Sequence, residues 1–275
     1  MKIDLHSHSY YSDGVLSPSE VITLAKAEGC DMFSLTDHDT TDGLLEAQNQ
    51  ANAIGLKLIH GVEISAMWSN MTIHIVGLNV DINNKTLQAG LKKHQDFRQI
   101  RAEKMARGLG GAGVFNALEK VQDVAKTKMI TRTHFAQMLV QEGVCKDMRS
   151  VFKRFLTGKK PGGVGGKWAE YDEVISWIHT AGGKAVLAHP LRYRMTNTKI
   201  RRLLNHLSGA GLDGVEVVTG SSSSDEITLV SQWAKEFDLL SSIGSDYHGW
   251  PNQRVRIGQL QSMPNINETI WKDWL

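Results

Sequence analysis

Cysteine is scarce in this sequence: its 275 residues contain two, Cys30 and Cys145, and they lie far apart. Two isolated thiols provide neither a disulfide framework nor a cysteine-type zinc site, which favours a reducing compartment, the cytoplasm. The sequence also lacks an apolar run long enough to cross a bilayer, and its first residues lack the apolar segment of a secretory signal. These absences predict a soluble, unexported protein without a membrane partner.

The sequence also lacks a large excess of positively or of negatively charged residues. The sequence contains 31 Lys and Arg and 29 Asp and Glu, for a formal net charge of +2 at pH 7 with neutral histidines. This balance argues against a general nucleic-acid binder, although local basic patches remain compatible with one. The hydrophobic fraction of 41% is ordinary, so the chain can bury the core of one barrel-sized domain, with or without an insertion.

The first fourteen residues contain a pattern that is typical of a metal site. Residues 3–5 predict a short strand, and His6 and His8 follow it with one residue between them. Side chains two apart in an extended chain point to the same side, so both imidazoles can reach one ion. Asp13 follows in a turn closed by Gly14 and adds a carboxylate oxygen. The alternative interpretation is a pair of surface histidines near a mobile N-terminus.

Strand-like and helix-like segments alternate along most of the chain. Helices are predicted next to several of the strands, which indicates βα units and a parallel sheet. Seven short apolar runs predict the strands, at residues 3–5, 32–35, 56–64, 72–77, 184–188, 214–218 and 239–244. Six of the seven carry a His, Asp or Glu at or just past the carboxyl end. An active site at the carboxyl-end mouth of a parallel barrel requires this arrangement.

Nine side chains in or just after these strands are candidate metal ligands: His6, His8, Asp13, His38, Glu63, His74, His189, Asp246 and His248. One ion takes about four to six ligands, so the set predicts two or three divalent ions, with Glu63 able to bridge two of them. Histidines and carboxylates without a thiolate suit Mn²⁺, Fe²⁺ or Zn²⁺. Asp39 and Asp42 are interpreted as turn or N-cap residues.

The predicted cluster favours hydrolysis of phosphate esters. Bound metals lower the pKa of a bridging water to form a hydroxide that attacks phosphorus, and they neutralise the charge that develops there. Arg132, His134 and Arg192 are the candidates for orienting the substrate phosphate. Arg192 follows the His189-Pro190 pair, and the other two begin a predicted helix whose first N–H groups can add to an anion site. No side chain stands out as a general acid.

Residues 98–165 interrupt the alternation. The segment is charged, has a helical pattern and lacks predicted strands. One helix is predicted at residues 87–105, interrupted by glycines from Gly108 onward, and two more are predicted at 131–141 and 151–156. We therefore expect a small helical insertion domain at residues 98–165. The two parts of the barrel would then be residues 1–97 and 166–275.

The motifs resemble, in the same order, those of the polymerase and histidinol phosphatase (PHP) superfamily. Each of the nine candidate ligands has a counterpart there. The matching segments are residues 6–13, 36–39, 63, 74, 188–190 and 244–248. Within the superfamily, residues 131–136, 158–159 and 186–193 resemble the bacterial group called RNase AM or 3′,5′-nucleoside bisphosphate phosphatase. The resemblance implies an α/β fold, a distorted (β/α)₇ barrel, with a trinuclear site that often holds manganese.

The same resemblance implies a metal-dependent phosphoesterase. Members of the group remove 5′ or 3′ phosphates from nucleotides, such as 3′,5′-bisphosphates or AMP, and trim short RNA in the 5′→3′ direction. Two segments depart from the pattern: residues 162–168, where a Gly-Tyr-Val-Pro-like sequence is usual, and Leu191, where glycine is usual. Neither contains a candidate ligand, so the departures bear on the choice of substrate more than on catalysis.

Three alternatives remain open. A histidinol-phosphate-type phosphatase would share the metals and differ in the pocket. An enzyme of the amidohydrolase kind also begins with His-x-His, but it would not need Asp13, His38 and Glu63. A nucleic-acid-binding module with a structural metal site is the alternative that is not an enzyme, and the near-neutral charge and complete ligand set count against it. The residues indicate no protein partner.

Overall fold

Seven strands form a nearly closed barrel in the computed structural model, which describes residues 1–249, 255–265 and 268–274. They lie side by side in chain order: β1 (Ile3–Asp4), β2 (Met32–Leu35), β3 (Lys57–Trp68), β4 (Met71–Leu78), β5 (Lys184–Leu187), β6 (Gly214–Thr219) and β7 (Leu240–Gly244). The amide of Leu5 donates to the carbonyl oxygen of Ile243 at 3.0 Å, which joins β7 to β1. The predicted α/β barrel class is confirmed.

Strand β4 runs in the opposite direction to the other six. It pairs antiparallel with β3 and β5, whereas the pairs β1–β2, β2–β3, β5–β6 and β6–β7 are parallel. Ser69 and Asn70 connect β3 to β4 with φ angles of 47° and 61°, as a two-residue type I′ hairpin turn requires. A connection this short cannot contain the crossover that parallel neighbours need. The expectation of an all-parallel barrel is therefore wrong at β4.

Helices lie between the strands along the chain, and several of them pack on the outside of the barrel. In the described part of the chain the α-helices are α1 (Pro18–Ala27), α2 (Leu44–Ile54), α3 (Lys85–Gly110), α4 (Ala117–Val124), α5 (Arg132–Gln141), α6 (Met148–Val151), α7 (Tyr171–Thr180), α8 (Asn197–Gly209) and α9 (Ser224–Glu236). Helix α1 begins with a capping box: the Ser17 hydroxyl accepts from the amide of Glu20, whose carboxylate accepts from the amide of Ser17. No helix described in these ranges is long and apolar enough to span a membrane.

The core lies between the strands and the helices that pack on them. Ile75 of β4, Val186 of β5 and Ile178 of α7 belong to one buried apolar cluster. Each fully buried side chain of this size contributes about 1.5–3 kcal/mol. Successive side chains on a strand alternate in direction, so this packing also determines where polar residues point. Glu63, between two buried apolar residues of β3, is directed away from them.

Helices α3 to α6 and a five-residue π-helical turn, Phe152–Leu156, lie between β4 and β5. They bury a separate apolar cluster that includes Leu109, Val121, Phe135 and Leu139. Helix α4 had no counterpart among the predicted helices. The predicted boundary between the first part of the barrel and the insertion, between residues 97 and 98, falls within α3. The limits of a separate helical domain stay a prediction.

Helix α3 continues through Gly108, where the glycines were expected to interrupt it, and reaches Gly110. A Cβ on Gly108 would lie 1.8 Å from the carbonyl oxygen of Pro161, so helix and loop contact each other through their backbones. A Cβ on Gly110 would have nothing within 4 Å. Glycine at position 108 therefore serves close packing and does not end the helix.

We expect Gly108→Ala to lower the free energy of unfolding by about 1–3 kcal/mol, because overpacking against a backbone carbonyl outweighs the helix propensity of alanine. Gly110→Ala is the matched control in the same helix, and it should be neutral or stabilising by up to about 1 kcal/mol. Urea unfolding of both variants measures the difference. Equal stability of the two variants would show that the contact with Pro161 does not matter.

Candidate metal centre

The nine candidate ligands predicted from the sequence lie together at one end of the barrel. Their ligand atoms form three overlapping groups, and within each group all the atoms lie within 4.8 Å of one another. The groups are His8, Asp13, His38 and His248; His6, His8, Glu63 and Asp246; and His38, Glu63 and His74. The ninth residue, His189, joins them because its Nε2 lies 3.0 Å from Oε1 of Glu63.

Strand direction explains how residues so far apart in the sequence meet. His6, His38 and His189 follow the carboxyl ends of β1, β2 and β5. His74 lies in the first half of β4, opposite Ser65 of β3. Because β4 is reversed, its beginning lies at the same end of the barrel as the carboxyl ends of the parallel strands. The reversal therefore brings His74 into the cluster.

Glu63 occupies the centre of the cluster and is fully buried. Its Oε1 lies 2.8 Å from Nδ1 of His74, and its Oε2 lies 2.8 Å from Nδ1 of His38. Oε2 also lies 3.3 Å from Nε2 of both His6 and His8. A carboxylate whose two oxygens face different imidazoles is arranged so that it can contribute to two cations.

Several buried polar atoms of the cluster make no well-oriented hydrogen bond, although Nδ1 of His38 and Oε2 of Glu63 lie 2.8 Å apart and Oδ1 of Asp13 lies 3.2 Å from Nε2 of His248. They are Oδ1 of Asp13, Nδ1 of His38, Oε2 of Glu63 and Nδ1 of His189. An unsatisfied buried polar atom costs about 1–3 kcal/mol, and native interiors contain few of them. These four atoms are nitrogen and oxygen donors gathered at one place, and such a donor set fits divalent cations.

Burial and mutual attraction set the protonation of the cluster. Burial by itself would raise the pKa values of Glu63, Asp13 and Asp246, but the surrounding histidines outweigh it and hold each pKa well below the usual range. Burial prevails at His38 and lowers the pKa of its imidazole to about 4. The carboxylates in turn raise the pKa values of His6, His8 and His248. A bound cation would therefore find the carboxylates already ionised and would displace protons from these three imidazoles.

Glu216 of β6 holds two members of the cluster, and it had no predicted role. Its Oε1 accepts a hydrogen bond from Nδ1 of His6 at 2.6 Å, and its Oε2 accepts one from the amide of His189 at 2.6 Å. The first bond orients the ring so that Nε2 faces Glu63. An acidic residue within an otherwise apolar buried strand was the signal available in the sequence.

The three basic residues predicted to orient the phosphate have different surroundings. Arg192 reaches the cluster and forms an ion pair with Asp246. Arg132, the first residue of α5, lines a cavity over the cluster. His134 lies two residues further on, and its Nδ1 accepts a hydrogen bond from the amide of Thr131 at 3.2 Å. This bond makes His134 part of a helix cap, and substrate binding by the three residues stays a prediction.

The cavity over the cluster has a volume of about 140 Å³. Its lining includes three candidate ligands and three arginines: Asp13, His38, His74, Arg98, Arg101 and Arg132. Trp168 packs against two of the arginines, with its ring centroid 5.0 Å from the guanidinium carbon of Arg98 and 5.5 Å from that of Arg101. Positive charge beside the cluster suits an anionic substrate.

Asp39 lies in a turn, as predicted, but its side chain is fully buried. Its Oδ1 accepts from the amide of Ser65 at 2.8 Å and lies 3.0 Å from Nδ1 of His94. Its Oδ2 accepts from Nε of Arg98 at 2.8 Å. Since His94 and Arg98 both belong to α3, these bonds tie that helix to the loop that carries His38.

Comparison with known proteins supports one family. A family model described as PHP domain matches residues 4–187. A 3′,5′-nucleoside bisphosphate phosphatase from Chromobacterium violaceum is 42% identical over 273 residues, which cover 98% of this chain and 95% of the relative. A 5′-3′ exoribonuclease from Haemophilus influenzae is 42% identical over 274 residues, which cover 98% of each chain.

A solved structure from Chromobacterium violaceum has a TM-score of 0.94 and 42% identity, and the match covers 99% of this chain and 95% of that one. It is described as an amidohydrolase with bound sulfate and no metal. The chain belongs to the PHP domain family, the superfamily that its motifs resemble. Its clusters of histidines and carboxylates are able to bind metals.

We expect Arg98→Met to lower the free energy of unfolding by about 3–5 kcal/mol, because it leaves the buried carboxylate of Asp39 without its cation. Lys92→Met is the matched control: Lys92 pairs with Asp96 on the same helix, but both side chains are exposed. The control should lose at most about 0.5 kcal/mol. Guanidinium chloride unfolding measures both variants, and equal losses would contradict a structural role for the buried pair.

Proposed function

We propose that this protein is a metal-dependent phosphoesterase that releases phosphate from nucleotides, such as 3′,5′-bisphosphates or AMP-like compounds, and trims short RNA in the 5′→3′ direction. The observation that carries the proposal is the cluster around Glu63, where nine histidines and carboxylates meet at the mouth of a PHP barrel. Relatives that match nearly the whole chain are named as a nucleoside bisphosphate phosphatase and an exoribonuclease, which supports this substrate class.

The nine side chains would hold two or three divalent ions, with Mn²⁺ as the first choice and Fe²⁺ or Zn²⁺ as alternatives. Because Glu63 presents its two oxygens to different histidines, it would contribute to two of the ions. When bound, such ions supply Lewis acidity that activates water and neutralises charge on phosphate oxygens.

The chain's own basic residues would bind and orient the phosphate beside this centre. Arg192 is partly exposed and forms an ion pair with Asp246, so its guanidinium is within reach of both the cluster and a substrate. Arg132 adds positive charge from the cavity lining. His134 caps the helix that begins with Arg132. It would assist phosphate binding indirectly, by fixing the position of Arg132. Burial of the cluster excludes bulk water and strengthens these charge interactions.

Phosphate release with added Mn²⁺ tests the proposal. We expect faster turnover of adenosine 3′,5′-bisphosphate and of short 5′-phosphorylated RNA than of histidinol phosphate. His8→Ala and Asp246→Ala each remove a ligand from the cluster, so both should abolish turnover and leave the fold intact. A preference for histidinol phosphate would overturn the substrate assignment. Wild-type rates in both variants, with metal in excess, would overturn the site assignment.

Glu216→Gln should weaken metal binding by about 10- to 100-fold, because an amide group cannot accept hydrogen bonds from both His6 and the amide of His189. Asp225→Asn is the control, since Asp225 is an exposed acidic residue on α9 and the change removes the same charge. Metal content after dialysis against a series of buffered Mn²⁺ concentrations reports binding independently of turnover. An unchanged affinity in Glu216→Gln would contradict its positioning role.

We also propose a cytoplasmic location. Cys30 and Cys145 are buried, belong to different apolar clusters and form no disulfide. Burial raises the pKa of the Cys30 thiol to about 12. Two buried, unpaired thiols suit a reducing compartment.

A further inference from the structure

The positive charge of this protein is concentrated in the part of the chain between β4 and β5. Residues 98–165 contain 14 Lys and Arg and only five Asp and Glu, so their formal net charge at pH 7 is +9. The rest of the chain contains 17 Lys and Arg and 24 Asp and Glu, for a formal net charge of −7. The near-neutral total therefore combines a basic insertion with an acidic barrel.

Few cations of the insertion are neutralised by the protein itself. In the described part of the chain, the members of this group that form ion pairs with carboxylates are Arg98 and Lys120. Exposed cations of the barrel do form such pairs, as Arg201 does with Glu236. A surface whose cations lack carboxylate partners favours a polyanionic ligand.

One segment of the insertion brings exposed cations to the edge of the candidate metal centre. Residues 152–164, here called the basic rim, contain no acidic residue. The exposed cations of the basic rim are Lys153, Arg154, Lys159 and Lys160. The segment begins at Phe152, which lines the cavity over the cluster. It ends at Val164, whose carbonyl oxygen accepts from Nε of Arg101 at 3.1 Å. Since Arg101 also lines the cavity, both ends of the basic rim adjoin it.

The second half of the basic rim folds tightly on itself. A Cβ on Gly163 would lie 2.3 Å from the carbonyl oxygen of Gly158, and the amide of Gly163 donates to the carbonyl oxygen of Lys160 at 2.8 Å. Gly163 belongs to residues 162–168, the segment that departs from the usual sequence of related proteins. This close backbone approach requires glycine, and it holds Lys159 and Lys160 at the exposed tip of the turn.

The cavity over the cluster can enclose only the end of a polynucleotide. Its volume is about 140 Å³, whereas pockets that enclose a whole small ligand have about 300–1,000 Å³. An RNA whose 5′ end lies at the metal centre must therefore leave the cavity across one of its edges. The basic rim forms such an edge, and its cations suit the phosphates along a strand. Phe152 is partly exposed there, and a base can stack on its ring.

We propose that the basic rim binds the RNA backbone downstream of the nucleotide that lies at the metal centre. Its cations would contact phosphates without reading the base sequence, and the contacts would take no part in hydrolysis. The inference rests on the proposed function for the position of the 5′ end. It adds a binding surface outside the metal centre, and with it a preference for RNA of several nucleotides over mononucleotides.

Equilibrium binding tests this surface in the full chain, kept free of divalent ions so that the RNA is not consumed. Fluorescence anisotropy measures the affinity for a 5′-phosphorylated oligoadenylate of about 12 nucleotides, labelled at its 3′ end, over a range of salt concentrations. Lys159→Gln combined with Lys160→Gln should weaken binding about 10- to 30-fold at about 0.1 M salt. The slope of log K against log salt concentration should become shallower by about 1.4, because each phosphate contact contributes about 0.7.

The matched control removes two exposed lysines at the opposite end of the barrel. Lys85 begins α3 a few residues after β4 ends, and Lys235 lies on α9 a few residues before β7 begins. Because β4 is reversed, its end lies away from the cluster, and so does the beginning of β7. Lys85→Gln combined with Lys235→Gln should change neither the affinity nor the slope. Equal losses in the two double variants, or no loss in either, would overturn the proposal.

Other polyanions show whether the basic rim is suited to RNA. Polyglutamate has the negative charge of RNA but no phosphate, sugar or base, so it should displace the labelled RNA less well at equal charge. Equally effective displacement by polyglutamate would overturn the proposal. The proposal would also fail if the substitutions at Lys159 and Lys160 released the protein from phosphatidylserine vesicles and left the RNA affinity unchanged, because the surface would then serve a membrane.

The dependence on RNA length separates the basic rim from the proposed function. Wild-type protein should bind the long oligoadenylate more tightly than a 5′-phosphorylated dinucleotide, and the double substitution at Lys159 and Lys160 should reduce this preference about 10-fold. If this reduction is found but the metal-loaded wild type hydrolyses no nucleotide or RNA, the basic rim stands and the proposed function fails. If the wild type trims RNA and the double variant keeps the full preference, the proposed function stands and the basic rim fails.

Discussion

The arrangement of the site depends on the contacts that one buried carboxylate, that of Glu63, makes with the surrounding imidazoles. Five imidazoles approach its two oxygens, and they come from the ends of β1, β2 and β5 and from within β4. Ionisable groups are unfavourable in a protein interior unless each has a partner. The barrel must therefore hold all of these strands in register at once. Glu216 contributes to this by bonding to both His6 and the amide of His189.

A second buried carboxylate connects the barrel to the helices inserted between β4 and β5. Asp39 binds Arg98 and His94 of α3, and Nε2 of His94 accepts a hydrogen bond from the amide of Ala169 at 3.1 Å. Ala169 lies in the segment that leads from the insertion back to the barrel. The cavity over the cluster is thus lined both by residues of the barrel and by residues of the inserted helices. Arg98 and Arg101 of α3 lie beside the candidate metal centre because that helix is fixed at this point.

The elements that the sequence predicted well are those with a local signal. The seven strands follow from short apolar runs. The nine candidate ligands were recognised by their spacing and by their positions in or after the strands, and the structure brings their side chains together. The reversed direction of β4 was not predicted, because a run of apolar residues does not indicate whether its strand is parallel or antiparallel to its neighbours. Its signal was the two-residue connection at Ser69 and Asn70, which is too short for a crossover. Gly108 was misjudged because its close neighbour, Pro161, is remote in the sequence.

The sequence by itself determined the chemistry of the site: which groups can bind metals, which carry charge, and which strands and turns present them. Only the tertiary structure decided which of these groups face one another. Glu216 and Asp39 show the difference, since a glutamate in a strand and an aspartate in a turn are ordinary in a sequence. Their roles come from burial and from partners on distant segments. Long-range packing determines both the burial and the partners, and local spacing in the sequence does not.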